Sequence, residues 1–449
     1  MPNSFTPLAG VATYNDAARI GFSVDENVRR LLRFHWVERR LMRILVAHLT
    51  SEPVWEAKCA FALHQWQCAE HVDALRRRIG EMRSPVPPLD AVPENDPTAK
   101  ELDAFLEQVD AARSTNELLV GVYGVLLPAL ADAYRDHIER TNPLVDYPTR
   151  RLLRFALIEI DEAVAWGATK QSAEGGGWNE HLRAYLAAAA GIAGDVDVEL
   201  VDSTLHPPRT TLHAFHPRRD ERFHGQYNFE FAPHLVYSMP NVAAEERNLA
   251  LLCKRALEMD VPEMMASFMT ERRDQPWEFY RDYSRQLWDE ARHAMMGTVA
   301  LEARGIDWKS DIPLNVSFAL RLNLHATPIE RQMLLYAIEQ SLMPGETGKR
   351  YEYETAVAAG DALSAHFHDY DWADEVLHAQ IGRRMLKREG ISSDEARERA
   401  AEIHEKTWAA LDQYRALDVQ HDWWPEFVRR VLGKESAAQT RPALNIFSE

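Results

Sequence analysis

The sequence predicts an all-α protein made of two tandem helical bundles joined by an irregular connection. Apolar residues recur at three- and four-residue intervals over long stretches, which is typical of amphipathic helices. The two halves also repeat one another. "LLRFHWVE" (31–38) and "LLCKRALE" (251–258) share the pattern LLxxxxxE, and "RLLRFALIE" (151–159) and "RQMLLYAIE" (331–339) both end in glutamate. Repetition at this spacing indicates a duplicated helical plan.

Helical periodicity and turn signals divide the chain as follows. The region 198–238 is rich in proline, histidine and aromatic residues, lacks helical periodicity, and is the best candidate for strands. We expect a helical bundle over 1–195, a linker or lid over 196–242, a second bundle over 243–435 and a flexible tail over 436–449. Long helices are expected over 25–50, 54–82, 150–170, 243–260, 276–304, 328–343 and 371–388, with two more within 98–140.

Composition narrows the class of protein. A formal net charge of -18 leaves no basic surplus to neutralise phosphates, which argues against nucleic-acid and anionic-membrane partners. Three cysteines without a C-x-x-C pair favour a reducing compartment. The N-terminal residues do not resemble an export signal, and we find no run of about 18 apolar residues of the kind that spans a membrane. The expected location is the cytoplasm.

Two E-x-x-H pairs offer metal ligands. Glu290 and His293, and likewise Glu375 and His378, are three residues apart, so each pair projects from one face of a helix. The motif alone is a weak signal, because Glu221 and His224 match it in an Arg- and Pro-rich region. A metal site is therefore indicated by the arrangement of the two pairs and not by the motif alone.

A lone glutamate precedes each pair. Glu258 lies 32 residues before Glu290, and Glu339 lies 36 residues before Glu375. At 1.5 Å per residue, such gaps bring two residues of a helical hairpin to one level, so six side chains can meet at one depth. Glu263 and Glu346 compete for the two lone positions, and the internal repeat favours Glu258 and Glu339.

The order of a lone Glu, an E-x-x-H, a lone Glu and an E-x-x-H resembles that of the ferritin-like di-iron carboxylate proteins. "DEARH" (289–293) is similar to the D-E-x-R-H signature of bacterial hydrocarbon monooxygenases, related di-iron oxygenases and ribonucleotide reductase small subunits. The resemblance covers residues 243–390. It implies two tandem ferritin-like four-helix bundles and two iron ions, with a manganese–iron pair as the alternative. The implied ligands are Glu258, Glu290, His293, Glu339, Glu375 and His378, with Glu290 and Glu375 at the catalytic centre.

The resemblance also assigns supporting roles to neighbouring charged residues. Asp289 would orient His378, and Asp374 would orient His293, since metal-bound histidines usually donate their other ring N–H to a carboxylate. Arg292 would be an outer cation that ties the helices together. The second motif departs from the family form, because Leu377 stands where an arginine equivalent to Arg292 is expected.

The first half retains only part of this pattern. Glu38, Glu70 and Glu159 persist, but Asp73 stands where a histidine is expected. Glu70 and His71 are adjacent, and neighbouring residues point about 100 degrees apart on a helix, so these two cannot serve one ion together. We interpret the first half as a metal-free bundle that supports the second, with a weaker second metal site as the alternative.

These features predict a di-iron oxygenase or oxidase that uses O2 to oxidise a small organic substrate. Electrons would come from a separate reductase or from the substrate, because the chain has no G-x-G-x-x-G and no cysteine cluster. A non-catalytic ferritin-like iron-binding or scaffold protein is the alternative, and a rubrerythrin-like peroxide reductase is disfavoured by the absence of a C-x-x-C pair. Homodimer formation is left open.

Overall fold

A computed structural model describes residues 6–89, 96–170, 176–239, 241–343 and 348–438. The regular structure in these ranges is helical, which confirms the predicted all-α class. The strands expected within 198–238 are absent from the structure of that region, so this expectation was wrong.

The chain divides into two compact units. Unit 1 contains residues 1–45 and 64–212, and unit 2 contains residues 46–63 and 213–449. The division at residues 212 and 213 falls inside the predicted linker, whose two parts therefore belong to different units.

Unit 1 begins with a short 3-10 turn, Pro7–Gly10, and a π-helical stretch, Val120–Leu126, joins two of its helices. The helices are α1 (Tyr14–Ala17), α2 (Val24–Leu49), α3 (Trp55–Glu81), α4 (Ala99–Asp110), α5 (Thr115–Leu119), α6 (Leu127–Arg140), α7 (Tyr147–Ala168) and α8 (Gly176–Ala188). The end of α2 and the beginning of α3 fall within residues 46–63, which are assigned to unit 2.

The helices of unit 2 are α9 (Pro233–Val236), α10 (Ala244–Leu257), α11 (Asp260–Glu271), α12 (Trp277–Glu302), α13 (Trp308–Asp311), α14 (Ser317–His325), α15 (Pro328–Ser341), α16 (Lys349–Ala358), α17 (Ala362–Arg388), α18 (Ser393–Ala409), α19 (Asp412–Arg415) and α20 (Trp424–Leu432). Helix α10 packs on α12, α12 packs on α17, and α17 packs on α15. Helix α16 packs on α10 and α17.

Two helix boundaries differ from those expected. The helix predicted over 371–388 begins at Ala362, because the side chain of Asp361 accepts a hydrogen bond from the Ser364 N–H and caps it there. The helix predicted over 243–260 ends at Leu257, and α11 starts at Asp260 with Pro262 in its first turn. Proline is tolerated in a first turn, where its missing N–H costs no helical hydrogen bond.

The part of the predicted linker that belongs to unit 2 is packed rather than loose. Phe229 is buried against Val316, Leu320 and Leu411. Side chains satisfy the backbone here: the Phe229 N–H donates to Gln420 Oε1 at 3.1 Å, and Gln420 Nε2 donates to the Tyr227 carbonyl at 2.7 Å. These hydrogen bonds from side chains satisfy backbone groups that a β-sheet would otherwise pair. The aromatic residues of this region are therefore held without a strand.

The beginning of the predicted tail is also held in place. Ser436 Oγ donates to the Glu246 carboxylate, and the Ala437 N–H donates to Glu246 Oε2 at 3.2 Å. The rest of the predicted tail, 439–449, lies outside the described residues.

One helical segment of unit 1, Thr115–Arg140, is long and apolar enough to cross a membrane by length and composition. No such segment was expected from the sequence. Its most apolar stretch is 67% buried inside the protein, as is typical of a core helix.

A close helix contact brings α10 beside α12 in unit 2. A Cβ atom added at Gly297 would lie 2.5 Å from the backbone nitrogen of Ala256 and 2.6 Å from Arg255 Cβ. Only glycine fits at this contact, and the approach brings Arg255 next to the polar interior of the unit.

We therefore expect Gly297→Ala to destabilise unit 2 by about 1 to 3 kcal/mol, because an added methyl group meets backbone that cannot rotate away. Urea unfolding measures the change. Gly177→Ala is the matched control, since a Cβ atom there meets nothing within 4 Å in helix α8. A stability of Gly297→Ala equal to that of the control would contradict the close contact.

Candidate metal centre

Three helices of unit 2 place acidic and imidazole groups in its interior. On α17, Asp371, Glu375 and His378 follow one another at four and three residues, so they form a stripe on one face. On α12, Glu290 and His293 share a face in the same way. The side chain of Glu339 on α15 completes the set, and all six residues are at most 3% exposed.

The first group of donors comprises Glu290, Glu339, Glu375 and His378, whose ligand atoms all lie within 4.8 Å of one another. His378 Nδ1 is 3.1 Å from Glu290 Oε1 and 3.4 Å from Glu375 Oε2. Gln286 Nε2 donates to Glu339 Oε1 at 3.1 Å and holds that carboxyl group in position. Four donors converging on one point can hold a metal ion.

The second group comprises His293, Asp371 and Glu375, again within 4.8 Å. His293 Nδ1 lies 3.3 Å from Asp371 Oδ1, 3.6 Å from Glu290 Oε2 and 4.0 Å from Glu375 Oε1. Glu375 belongs to both groups, so the two positions are adjacent.

Each imidazole contacts an aspartate through its Nε2 atom. His378 Nε2 lies 3.4 Å from Asp289 Oδ2, and His293 Nε2 lies 3.2 Å from Asp374 Oδ2. The Nδ1 atoms of both rings are buried and make no hydrogen bond within the described part of the chain. In each ring, Nε2 contacts an aspartate, and Nδ1 faces carboxylates without a hydrogen bond.

Arg292 connects the two orienting aspartates. Its Nη2 atom donates to Asp289 Oδ1 at 2.5 Å and to Asp374 Oδ2 at 2.7 Å, which joins α12 to α17. Leu377 stands where the second motif is expected to carry an arginine. A second arginine contact comes instead from α12, where Arg285 Nε donates to Asp289 Oδ2 at 2.8 Å. The outer contacts are therefore asymmetric, with both arginines supplied by α12.

Protons compensate the charge of the two groups when no metal is present. Burial and repulsion from Glu375 raise the pKa of Glu339 well above its usual range, which favours the neutral carboxylic acid. Burial opposes a charge on His293, but the negative charge of Asp371 and the hydrogen bond to Asp374 raise its pKa to about 10. Burial also opposes ionisation of Glu290, yet its contacts with His293 and His378 lower its pKa to about 2.

Two basic side chains add fixed positive charge beside the second group. Lys349 Nζ, at the start of α16, lies 2.7 Å from Glu375 Oε1 and 3.1 Å from Asp371 Oδ1. Arg255 Nη1, on α10, donates to Asp371 Oδ1 at 2.8 Å. Lys349 is fully buried and Arg255 is 3% exposed, so these are interior ion pairs.

Glu258, a predicted ligand, is not part of either group. It follows the last residue of α10, and its carboxylate pairs with Arg255 Nη1 at 2.7 Å. The competing residue Glu263 pairs with Lys58 at 2.6 Å and with Arg219 at 2.5 Å. Glu346, the competitor of Glu339, lies outside the described residues.

The selection of Glu258 from the sequence rested on the internal repeat. The repeat favoured Glu258 because Glu38 and Glu70 are also 32 residues apart, but Glu70 is exposed while Glu290 is buried. In unit 1 the neighbouring His71 faces inward instead of Glu70, so the two spacings do not describe equivalent faces.

Sequence reasoning also missed Asp371, Lys349 and Arg255. Asp371 carried a signal, since it precedes Glu375 by four residues and His378 by seven, on the same helical face. Lys349 and Arg255 carried none, because the periodicity of a helix does not reveal that a basic side chain will be buried against acids on another helix.

In unit 1, a protonated histidine joins the retained glutamates. His71 Nδ1 lies 3.0 Å from Glu38 Oε1, and its Nε2 lies 2.9 Å from Glu159 Oε2. The Tyr134 hydroxyl donates to Glu38 Oε1 at 3.0 Å. Burial opposes the charge on His71, but Glu38 and Glu159 raise its pKa to about 9.

Comparisons with protein-family models, with curated proteins and with solved structures found no match to this chain. The candidate centre is therefore interpreted from its own geometry and chemistry.

The raised pKa of His71 predicts a pH-dependent stability of unit 1. Relative to His71→Gln, the wild type gains about 3 kcal/mol from a shift of the pKa from 6.5 to about 9. The gain is complete below pH 6.5, where the unfolded histidine is also protonated, and is lost as the pH rises through about 9. Urea unfolding of both proteins between pH 6 and 10 measures this difference; a gap independent of pH would refute it.

Proposed function

We propose that this protein is a di-iron carboxylate enzyme of the ferritin-like type, an oxygenase or oxidase that uses O2 to oxidise a small organic substrate. One observation carries the proposal. The Nδ1 atoms of His293 and His378, both fully buried and clamped through Nε2, point without a hydrogen bond at carboxylates in the described interior. Buried polar atoms are rarely left unsatisfied, and two imidazoles that converge on carboxylates are suited to cations.

The donor chemistry fits iron. Imidazole nitrogen combined with carboxylate oxygen suits iron or manganese better than soft thiolate-binding ions. Glu290, Glu339, Glu375 and His378 would hold one ion. His293 and Asp371 would hold the other together with Glu375, with Asp371 in the role that the resemblance implied for Glu258.

Binding of a cation requires the loss of protons from the same groups. Without metal, the raised pKa of Glu339 favours its neutral form, and a pKa of about 10 keeps His293 protonated at pH 7. Metal ligands have to be deprotonated, so binding of a cation would release such protons. The orienting contacts to Asp289 and Asp374 then hold each imidazole in the tautomer whose Nδ1 is free to bind.

Ferrous iron would supply the electrons that reduce O2 at this centre. The chain's own contribution is to orient the ligands and to exclude water, since Glu290, Glu339 and Glu375 are 2 to 3% exposed. The described residues include no cysteine pair that could relay electrons, so a separate reductase or the substrate has to provide them. The proposal extends to the architecture: each unit is a ferritin-like bundle, and the first carries no metal.

A non-catalytic ferritin-like scaffold is the second candidate. The observation that favours it is the buried pair of cations, Lys349 and Arg255, which compensates Asp371 and part of the charge of Glu375 without any metal. Uptake of O2 by the iron-loaded protein distinguishes the enzyme from the scaffold.

Glu290→Gln should lower the affinity for ferrous iron by more than about 100-fold, because loss of an outer contact alone costs 10- to 100-fold. Glu258→Gln is the matched control and should keep its iron, since Glu258 pairs with Arg255 outside the cluster. Anaerobic loading followed by metal analysis measures both.

A pulse of O2 on the loaded wild type then tests the activity. Stoichiometric O2 uptake followed by re-reduction with an external donor supports the enzyme. Iron that is bound without O2 uptake supports the scaffold, oxidation of many ions per chain supports storage, and absence of iron binding ends the proposal.

A further inference from the structure

We propose that the ammonium group of Lys349 occupies the place of the second cation and competes with the second metal ion. The inference rests on the proposed function, since it presumes that the first group binds iron. It assigns to Lys349 the control of metal affinity at the second position: the first ion binds tightly, and the second binds weakly because it has to displace the ammonium group.

The geometry places the ammonium among the donors of the second group. The two oxygens nearest to Lys349 Nζ are Glu375 Oε1 at 2.7 Å and Asp371 Oδ1 at 3.1 Å. The same two oxygens face His293 Nδ1, at 4.0 Å and 3.3 Å. A metal ion bound by His293, Asp371 and Glu375 would need the oxygens that the ammonium already holds.

The first group shares Glu375 with the second, but its other members, Glu290, Glu339 and His378, form no ion pair with Lys349 among the described residues. The ion pairs of Glu290 are with His293 and His378, and the hydrogen bond to Glu339 comes from the neutral amide of Gln286. A lysine is a fixed part of the chain, so its ammonium stays beside the second group when a metal ion binds the first.

Asp371 is in addition committed to Arg255. Nη1 of Arg255 donates to Asp371 Oδ1 at 2.8 Å, and Nη2 donates to its other oxygen. Three cationic groups, those of Arg255, Lys349 and His293, thus surround one carboxylate. A metal ion would approach a ligand whose charge is already compensated and would be repelled by the ammonium beside it.

Lys254 provides a matched control. Its ammonium is buried in the same layer of charges, 2.6 Å from Glu352 Oε1, and Lys349 lies 3.9 Å from the other oxygen of that carboxylate. Among the described residues, Lys254 forms ion pairs with Glu352 and Glu258. Glu352 lies near Asp371 in a third buried group with His368, but neither Glu352 nor Glu258 belongs to the two donor groups defined above. Loss of Lys254 removes a buried charge of the same kind without clearing the second position.

The test compares the wild type, Lys349→Met and Lys254→Met after anaerobic loading with ferrous iron and removal of loose metal. We expect about one iron per chain in the wild type and in Lys254→Met, and about two in Lys349→Met. The second ion should bind Lys349→Met at least 10-fold more tightly than it binds the wild type. The thermal transition of Lys349→Met should also rise more on iron addition than that of the other two proteins, because iron replaces the lost counter-charge.

Two tightly bound ions in the wild type, or one in Lys349→Met, would overturn the inference and leave the proposed function intact. No iron in the wild type would instead overturn the proposed function itself, and the inference with it. If Lys349→Met does not fold, the iron content of Asp371→Asn tests the inference. About one iron per chain in both the wild type and Asp371→Asn would support competition by Lys349. Loss of that ion in Asp371→Asn contradicts it.

Discussion

The mutual repulsion of buried carboxylates is the constraint on which the rest of unit 2 depends. Glu290, Glu339 and Glu375 meet within 4.8 Å in an interior that water does not reach. Such a cluster is unstable unless positive charge or protons enter with it. Four helices supply the positive charge: α12 contributes an imidazole and two outer arginines, α17 a second imidazole, α16 an ammonium and α10 a guanidinium. Gly297 permits the approach of α10 that brings the last of these into place.

The two units compensate the charge of buried carboxylates in different ways. In unit 1, one imidazolium contacts both Glu38 and Glu159, and a tyrosine hydroxyl adds a third contact to this cluster. In unit 2, protons and basic side chains share the compensation of the carboxylates. Both ring nitrogens of His71 thus form hydrogen bonds with carboxylates, whereas Nδ1 of His293 and of His378 makes no hydrogen bond within the described residues. This difference separates the unit 1 cluster from the candidate metal centre.

The helical class and the main clustered residues could be predicted from the sequence because both depend on local periodicity. Glu290, His293, Glu375 and His378 are paired within single helices, and the mean rise of a helix brought Glu339 to their level. Glu258 was selected from a repeat and lies outside the two donor groups, and in unit 1 the buried position belongs to His71 and not to Glu70. Lys349 and Arg255 could not be predicted, since their burial depends on tertiary packing. The aromatic region 198–238 showed the same limit, because side chains from distant residues satisfy its backbone.

The stripe on α17 carries a consequence for how this chain can vary. Asp371, Glu375 and His378 occupy two successive turns of one uninterrupted helix. Insertion or deletion of one residue between them would rotate every later side chain by about 100 degrees and move it about 1.5 Å along the axis. The eight positions from 371 to 378 therefore form a unit of fixed length, whereas the surface turns between helices can lengthen at small entropic cost. In any set of related sequences, this window should align without gaps, and length variation should concentrate in the turns.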